Sequence, residues 1–152
     1  MADSERPDVD LTDLTGFLGY QLRQAQTASF RDLAAPLRDL GITPGEFSLL
    51  TIVNANPGLR QNVLVQVYGL DKSTLSVSVA ALVRRGLLEQ RRDREDRRRH
   101  SLQITEEGEK ILAAATRVVQ DQERRMLASL GEADRDNLMA ALRRIVAALQ
   151  DG

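Results

Sequence analysis

Cysteine is absent from the 152 residues, and histidine occurs only once, as His100. Without cysteine the chain has no disulfide, no thiolate nucleophile and no thiolate-bound zinc. One histidine excludes metal sites made of two or three histidines, and no nucleophile or orienting partner for His100 is readable in the sequence. Sequence motifs for a nucleophile elbow, a phosphate-binding loop and a dinucleotide fold are missing too. We therefore expect no metal, no cofactor and no enzymatic activity.

Long apolar runs are also missing. The longest uninterrupted ones, such as 111–115, span about five residues, whereas a membrane-spanning helix needs roughly 20. The first ten residues carry four acidic side chains instead of the basic start of a signal peptide. The sequence therefore predicts a cytoplasmic protein without a membrane partner. Residues 1–10 are predicted to form a flexible segment ahead of the folded domain.

Amphipathic helices dominate both halves of the chain. Apolar residues recur at spacings of three and four from Leu11 to Leu40, and again over 106–149 with a break at Gly131. Pro36 falls inside the first of these stretches and should kink that helix or divide it. An apolar fraction of 42% provides enough material for one folded domain between and around these helices.

The middle of the chain reads as short helices followed by a hairpin. Thr43, Pro44 and Glu46 form the signature of a helix start, and Asp71 is a suitable N-cap for a later helix. The predicted elements are a helix from 44 to about 56, helices over 60–67 and 72–85, and strands over 87–92 and 98–104 around a turn at 93–96. The predicted fold is mainly α with a small β-hairpin wing, that is, a winged helix-turn-helix lobe with long amphipathic helices on both sides of it.

The helix predicted over 72–85 has one apolar face and one unusual face. Leu75, Val79 and Leu82 point in nearly the same direction and should face inward. The other face is small and rich in hydroxyls, whereas a solvated face would carry Glu and Lys. Such a face suits close approach to base edges and phosphates in a DNA major groove, and burial against a partner is the alternative. The candidate DNA-contacting residues on this helix are Ser73, Thr74, Ser76, Val77 and Arg84.

Charge is distributed unevenly along the chain. The formal net charge is −1, which by itself argues against nucleic-acid binding. Residues 60–105, however, hold ten basic and five acidic residues, a charge of +5, so the remainder carries −6. Local charge governs phosphate affinity, and the six arginines within 91–99 exceed the three acidic residues there, although some can form ion pairs within a solvated turn. The wing candidates for DNA contact are Arg91, Arg92, Arg94 and Arg98.

Three stretches of the sequence resemble the MarR family of bacterial transcription regulators. They are residues 70–88, the wing at 93–98 with 102–108, and Ile42-Thr43-Pro44 with Phe47 and Leu50. The resemblance extends over 11–150 and implies a single domain, with a DNA-binding lobe at 43–105 and dimerisation helices at 11–40 and 106–149. It implies a homodimer on pseudo-palindromic double-stranded DNA, usually a repressor, in which Asp96 and Arg97 brace the wing. Val77 and Glu95 depart from the family, which often carries arginine at both positions.

The same resemblance implies a small organic effector bound between the first, second and fifth helices. An aromatic carboxylate, a phenolic compound or its CoA thioester is expected, because the cysteine-dependent sensing mode of the family is excluded here. The candidate effector-binding residues are Phe17, Tyr20, Arg23, Arg31 and Phe47, which supply aromatic walls, a hydroxyl and a cation for a carboxylate. Phe17 and Phe47 could equally be plain core residues. A winged-helix module that binds an acidic protein partner is the alternative function.

Overall fold

The computed structural model describes residues 9–68, 71–92 and 100–150. The chain is mostly helical, with one small antiparallel sheet among the described residues. In chain order, the elements are a 3-10 helix at Thr12–Gly16, α1 (Leu18–Asp39), α2 (Pro44–Ala55), β1 (Leu59–Arg60), α3 (Gln61–Tyr68), α4 (Lys72–Arg84), β2 (Leu88–Arg92), β3 (His100–Ile104), α5 (Glu106–Leu130) and α6 (Glu132–Gln150).

The first helix begins later than predicted, and Pro36 does not interrupt it. The expected α-helix over 11–17 is wrong, because a 3-10 helix ends at Gly16 and Phe17 is extended, with φ −83° and ψ 133°. Pro36 does not divide α1, since it lies in the last turn and removes only the one backbone hydrogen bond to the Asp32 carbonyl. The helix ends in a Schellman motif, in which Gly41 has φ +76° and the Ile42 N–H donates to the Leu37 carbonyl over 3.0 Å.

The predicted helix starts in the middle of the chain are confirmed. Thr43 and Glu46 form a complete capping box: the Thr43 N–H donates to Glu46 Oε2 over 2.9 Å, and the Glu46 N–H donates to Thr43 Oγ1 over 3.2 Å. Asp71 caps α4 by accepting the Thr74 N–H. These contacts fix where α2 and α4 begin and therefore how their side chains are phased.

The sheet has the order β1-β3-β2, with both pairs antiparallel. The predicted wing hairpin is confirmed, with pairing that runs from Leu88 opposite Ile104 to Arg92 opposite His100. The strand β1 was not expected, because two residues leave no readable alternation. The predicted turn at 93–96 lies outside the described residues.

One core joins the winged lobe to the long helices. Most of its fully buried side chains come from α2, α3, α4 and the sheet and include Leu50, Leu64, Leu75, Leu82 and Leu102. Leu33 and Leu37 of α1 pack into the same core, as do Leu112 and Ala115 of α5. None of the described side chains of α6 is buried. No helix in the described ranges has the length and apolarity that a bilayer crossing requires.

Candidate nucleic-acid interface and effector cavities

The two faces of α4 are arranged as the sequence predicted. Leu75, Val79 and Leu82 have no exposed surface, whereas Val77 on the opposite face is 71% exposed. The other candidate contacts on this helix are exposed, except that Ser76 is half-buried. The outward face of α4 is thus small, uncharged along most of its length and free for a ligand, with Arg84 at its C-terminal end.

The hydroxyls at the start of α4 are bonded to its N-cap. Ser73 Oγ donates to Asp71 Oδ1 and Thr74 Oγ1 donates to Asp71 Oδ2, each over 2.5 Å, while the Thr74 N–H donates to Oδ1 over 2.9 Å. These bonds, first from Ser73 and then from Thr74, hold the pKa of the Asp71 carboxyl well below its usual range. Ser76 differs, because its Oγ accepts a hydrogen bond from Gln61 Nε2 over 3.2 Å.

The arginines at the end of β2 are exposed beside α4. Arg91 forms an ion pair along its own strand, with 2.7 Å between its Nη2 and Glu89 Oε1. Within the described ranges, neither Arg92 nor Arg84 forms an ion pair. The remaining wing candidates, Arg94 and Arg98 for DNA contact and Asp96 and Arg97 for bracing, lie outside the described residues.

Arg85 is a structural residue that the sequence did not reveal. Its guanidinium bonds both the Glu46 carboxylate and the Gly41 carbonyl, so it ties the end of α4 to the start of α2 and the end of α1. A cavity of about 460 Å³ opens beside this junction, between Arg38, Ile42 and Arg85. Glu46 was recognisable as a capping residue, but its partner is 39 residues away and has no local signal.

The candidate effector residues are spread along α1 and α2. Phe17 is 62% exposed at the N-terminus of α1, and Tyr20 is half-buried, with its hydroxyl oxygen accepting a bond from Gln24 Nε2. Arg23 is exposed one turn further on, and Phe47 is half-buried against the core. Arg31 lines a groove of about 490 Å³ that Gln26, Thr27, Phe30 and Ala34 also line. Phe17, Tyr20 and Arg23 therefore lie at the N-cap and within the first two turns of α1, and Arg31 lies about 12 Å further along the helix axis from Arg23.

A polar cluster joins α1 and α5. Arg125 forms a two-pronged ion pair with Asp32 at 2.9 and 2.7 Å, and the buried Gln122 amide donates to Asp32 Oδ2 and to the Ser29 carbonyl. The bonds from Arg125 and then Gln122 lower the pKa of the Asp32 carboxyl. A cavity of about 370 Å³ lies beside the cluster. Sequence reasoning missed these residues, because about 90 positions separate the partners.

Comparison with known proteins identifies the family. The model of the MarR family matches residues 40–99, which include α2, α3, α4 and β2. A transcriptional regulatory protein assigned putatively to the hcr operon of Thauera aromatica is 32% identical over 145 residues, covering 95% of this chain and 87% of that protein. The chain belongs to the MarR family. As a MarR-family protein it is a winged-helix, DNA-binding regulator of transcription.

Solved MarR-family structures share this architecture. The transcriptional repressor CouR bound to a 23-mer DNA duplex superimposes with a TM-score of 0.84 and 33% identity, covering 91% of this chain and 99% of CouR. CouR bound to p-coumaroyl-CoA gives a TM-score of 0.83 and 31% identity, covering 91% and 98%. The transcriptional regulator HosA of Escherichia coli is 29% identical over 126 residues, covering 83% of this chain and 90% of HosA.

Proposed function

We propose that this MarR-family protein is a cytoplasmic repressor that binds a pseudo-palindromic operator as a homodimer and leaves it when a small organic effector binds. The observation that carries the proposal is the outward face of α4, which is small, hydroxyl-rich and exposed within a segment of charge +5. A repressor with 33% identity binds a DNA duplex, which supports the same use of this surface. In the proposal, residues 43–105 form the DNA-binding lobe, while 11–40 and 106–149 form the dimer body.

Exposed apolar side chains support the homodimer. They concentrate before and at the start of α1, where Phe17 and Leu18 are 62% and 71% exposed, and along α6, where Leu149 is 78% exposed. Apolar patches of this kind mark interaction surfaces, and a two-fold axis would cover both helices with a second copy. Two lobes related by that axis would meet two half-sites about one helical turn, or ~34–36 Å, apart.

The effector class rests on the relatives and on the placement of aromatic and basic residues. CouR binds p-coumaroyl-CoA, a phenolic CoA thioester. In this chain Tyr20 and Arg23 lie near each other on α1 beside the exposed Phe17, and Arg31 faces a groove next to Phe30. A ring on the aromatic side chains and a carboxylate or phosphate on an arginine would satisfy such a ligand.

Operator binding is the decisive test. We expect purified protein to bind DNA from upstream of its own gene far more tightly than random DNA at moderate salt, in a fluorescence anisotropy titration. Arg84→Gln should make the slope of log K against log[salt] shallower by about 0.9, since it removes one phosphate contact. The matched variant Arg143→Gln, on exposed surface of α6, should leave the slope unchanged.

The same titration tests the effector. Aromatic acids and CoA thioesters that raise the melting temperature should also release the operator, because a ligand that favours one state shifts both equilibria. Equal affinity for upstream and random DNA would contradict the proposal, and stoichiometric capture of an acidic protein that DNA does not displace would favour the interaction-module alternative.

A further inference from the structure

The first five residues of α4 include three hydroxyls with two opposite hydrogen-bonding arrangements. Ser73 and Thr74 each donate their hydroxyl proton to the Asp71 carboxylate over 2.5 Å. Ser76, two residues on, receives a bond from the Gln61 amide and keeps its own proton available. A hydroxyl has one proton and two lone pairs, so what it offers a ligand depends on where that proton points.

The protons of Ser73 and Thr74 are already used, while both side chains are exposed. Facing outward, these hydroxyls can accept a hydrogen bond but cannot donate one. Phosphate oxygens, guanine O6 and N7, and thymine O4 are acceptors and cannot pair with them. In the major groove only the exocyclic amines, adenine N6 and cytosine N4, supply the donor that such a hydroxyl needs.

We propose that Asp71 is a specificity-determining positioning residue of the DNA interface, which fixes Ser73 and Thr74 as acceptors and thereby selects amine-bearing bases, adenine or cytosine, on the contacted strand. The inference rests on the proposed function, because it requires α4 to enter a major groove. It assigns Ser76 the opposite role, that of a donor to a phosphate or a keto-bearing base.

The arrangement is held by charge. Asp71, which is ionised at neutral pH, accepts three hydrogen bonds, one of them from the Thr74 backbone, and these bonds lower the pKa of its carboxyl. Hydrogen bonds to an ionised acceptor are stronger than neutral ones. Turning either hydroxyl toward a phosphate would break such a bond, and turning Thr74 would also leave Asp71 Oδ2 without its hydrogen bond close to the negative DNA backbone.

The substitution Asp71→Asn separates the role of Asp71 as a helix cap from its proposed role in fixing Ser73 and Thr74 as hydrogen-bond acceptors. Asparagine caps helices as well as aspartate, so the helix start is retained. Its Oδ1 must stay with the Thr74 N–H, which places the amide nitrogen where Asp71 Oδ2 now accepts from Thr74 Oγ1. Thr74 would then accept from the amide, and its own proton would be free to donate, while Ser73 would keep its present bond.

The experiment is selection from random DNA with the wild-type dimer, Asp71→Asn and Ser76→Ala, with thermal melting to verify folding. We expect Asp71→Asn to change the preference at one position of each half-site, from adenine or cytosine to guanine or thymine, and to keep the rest of the site. Ser76→Ala should lose affinity without that exchange.

Replacing the selected adenine by purine, or the selected cytosine by 2-pyrimidinone, removes the exocyclic amine. That change should weaken DNA binding by the wild type about threefold to tenfold, the size of one hydrogen bond. The affinity of Asp71→Asn for the same DNA should change by less than about twofold.

The outcomes are distinguishable. A wild type that enriches no sequence overturns the proposed function, and this inference falls with it. A wild type that enriches a site, with the same base preference in Asp71→Asn, overturns the role of Asp71 alone. A folded Asp71→Asn that loses affinity equally for all sequences also overturns the role of Asp71, because a residue that only caps the helix would have that effect and would not change base preference.

Discussion

At the residue scale, Gly108 lies where no side chain fits. A Cβ added there would come within 2.1 Å of the Leu87 carbonyl oxygen and 2.7 Å of Ile104 Cγ1. Thr105 also joins these two segments, since its Oγ1 donates to the Gly86 carbonyl and accepts the Gly108 N–H. The start of α5 is therefore packed directly on the turn between α4 and the wing.

Gly108→Ala should destabilise the protein by about 1–3 kcal/mol, because backbone must move to make room for the methyl group. Gly45→Ala is the matched control, also in the first turn of a helix. Its added Cβ meets only atoms at 3.9 Å, so we expect stability equal to or slightly above that of the wild type. Urea unfolding measures both, and equal loss in the two variants would contradict the packing explanation.

Asp32 makes the polar cluster between α1 and α5 sensitive to acid. Hydrogen bonds from Arg125 and Gln122 lower its pKa below the ordinary value of 3.8. The bonded carboxylate therefore stabilises the fold fully above that ordinary value, and the stabilisation is lost as the pH falls through the lowered pKa. The hydrogen bond with Asp32, followed by the charge of Asp32, raises the pKa of Arg125 in turn.

Asp32→Asn should lower the melting temperature at pH 7, and the gap from the wild type should close as the pH is brought below 3.8 toward strong acid. Melting curves followed by circular dichroism between pH 7 and pH 2 measure this gap. A gap that stays constant over the whole range would show that the charge of Asp32 does not contribute.

At the element scale, α4 is one helix with two separate tasks. Its inward residues anchor it in the core, while most of its outward residues are exposed. Leu75 is fully buried and Val77, two residues later, is 71% exposed. Stability and DNA binding should therefore respond to different substitutions on the same helix.

Leu75→Ala should cost about 2–5 kcal/mol of unfolding free energy, the usual loss for a buried leucine. Val77→Ala should change it by less than about 0.5 kcal/mol, as for other surface positions, and should weaken operator binding by removing an apolar contact. Urea unfolding and anisotropy titration, performed on both variants, separate the two effects. A strongly destabilised Val77→Ala would mean that a partner or another element covers this face.

At the scale of the whole molecule, charge and apolar surface are divided between different regions. The segment 60–105 carries +5 and the remainder −6, so the near-neutral total conceals a basic lobe on an acidic body. The body also has the exposed apolar residues of α6, where Leu138 and Leu149 are 43% and 78% exposed. The division favours DNA contact through the lobe and self-association through the body.

Leu138→Asp combined with Leu149→Asp should weaken the proposed dimer roughly a hundredfold or more, because each aspartate would be an unpaired charge in an apolar interface. Sedimentation equilibrium should give twice 16.9 kDa for the wild type and 16.9 kDa for the double variant at micromolar concentration. Arg143→Gln, also exposed on α6, is the control and should remain dimeric. A monomeric wild type would contradict the proposed dimer.

Much of the fold could be predicted because many of its determinants are local. The helix starts at Thr43 and Asp71 depend on bonds to residues three positions away. The ends at Gly41 and Gly86 depend on glycines with positive φ. The inward face of α4 follows from a period of 3.6 residues. The failure at 11–17 has the same origin, since a spacing of three and four does not distinguish an α-helix from a short 3-10 helix that is followed by an extended residue.

The sequence by itself therefore determined the winged-helix class, the phase of α4 and the basic segment, all of which are written in spacings of a few residues. Only the tertiary structure decided that Arg85 bonds Glu46, that Arg125 bonds Asp32 and that β1 pairs with β3. These contacts join residues about 40 to 90 positions apart, and a local sequence pattern does not specify which distant residue a given side chain will contact. Their geometry exists only once the shared core has brought the long helices and the lobe together.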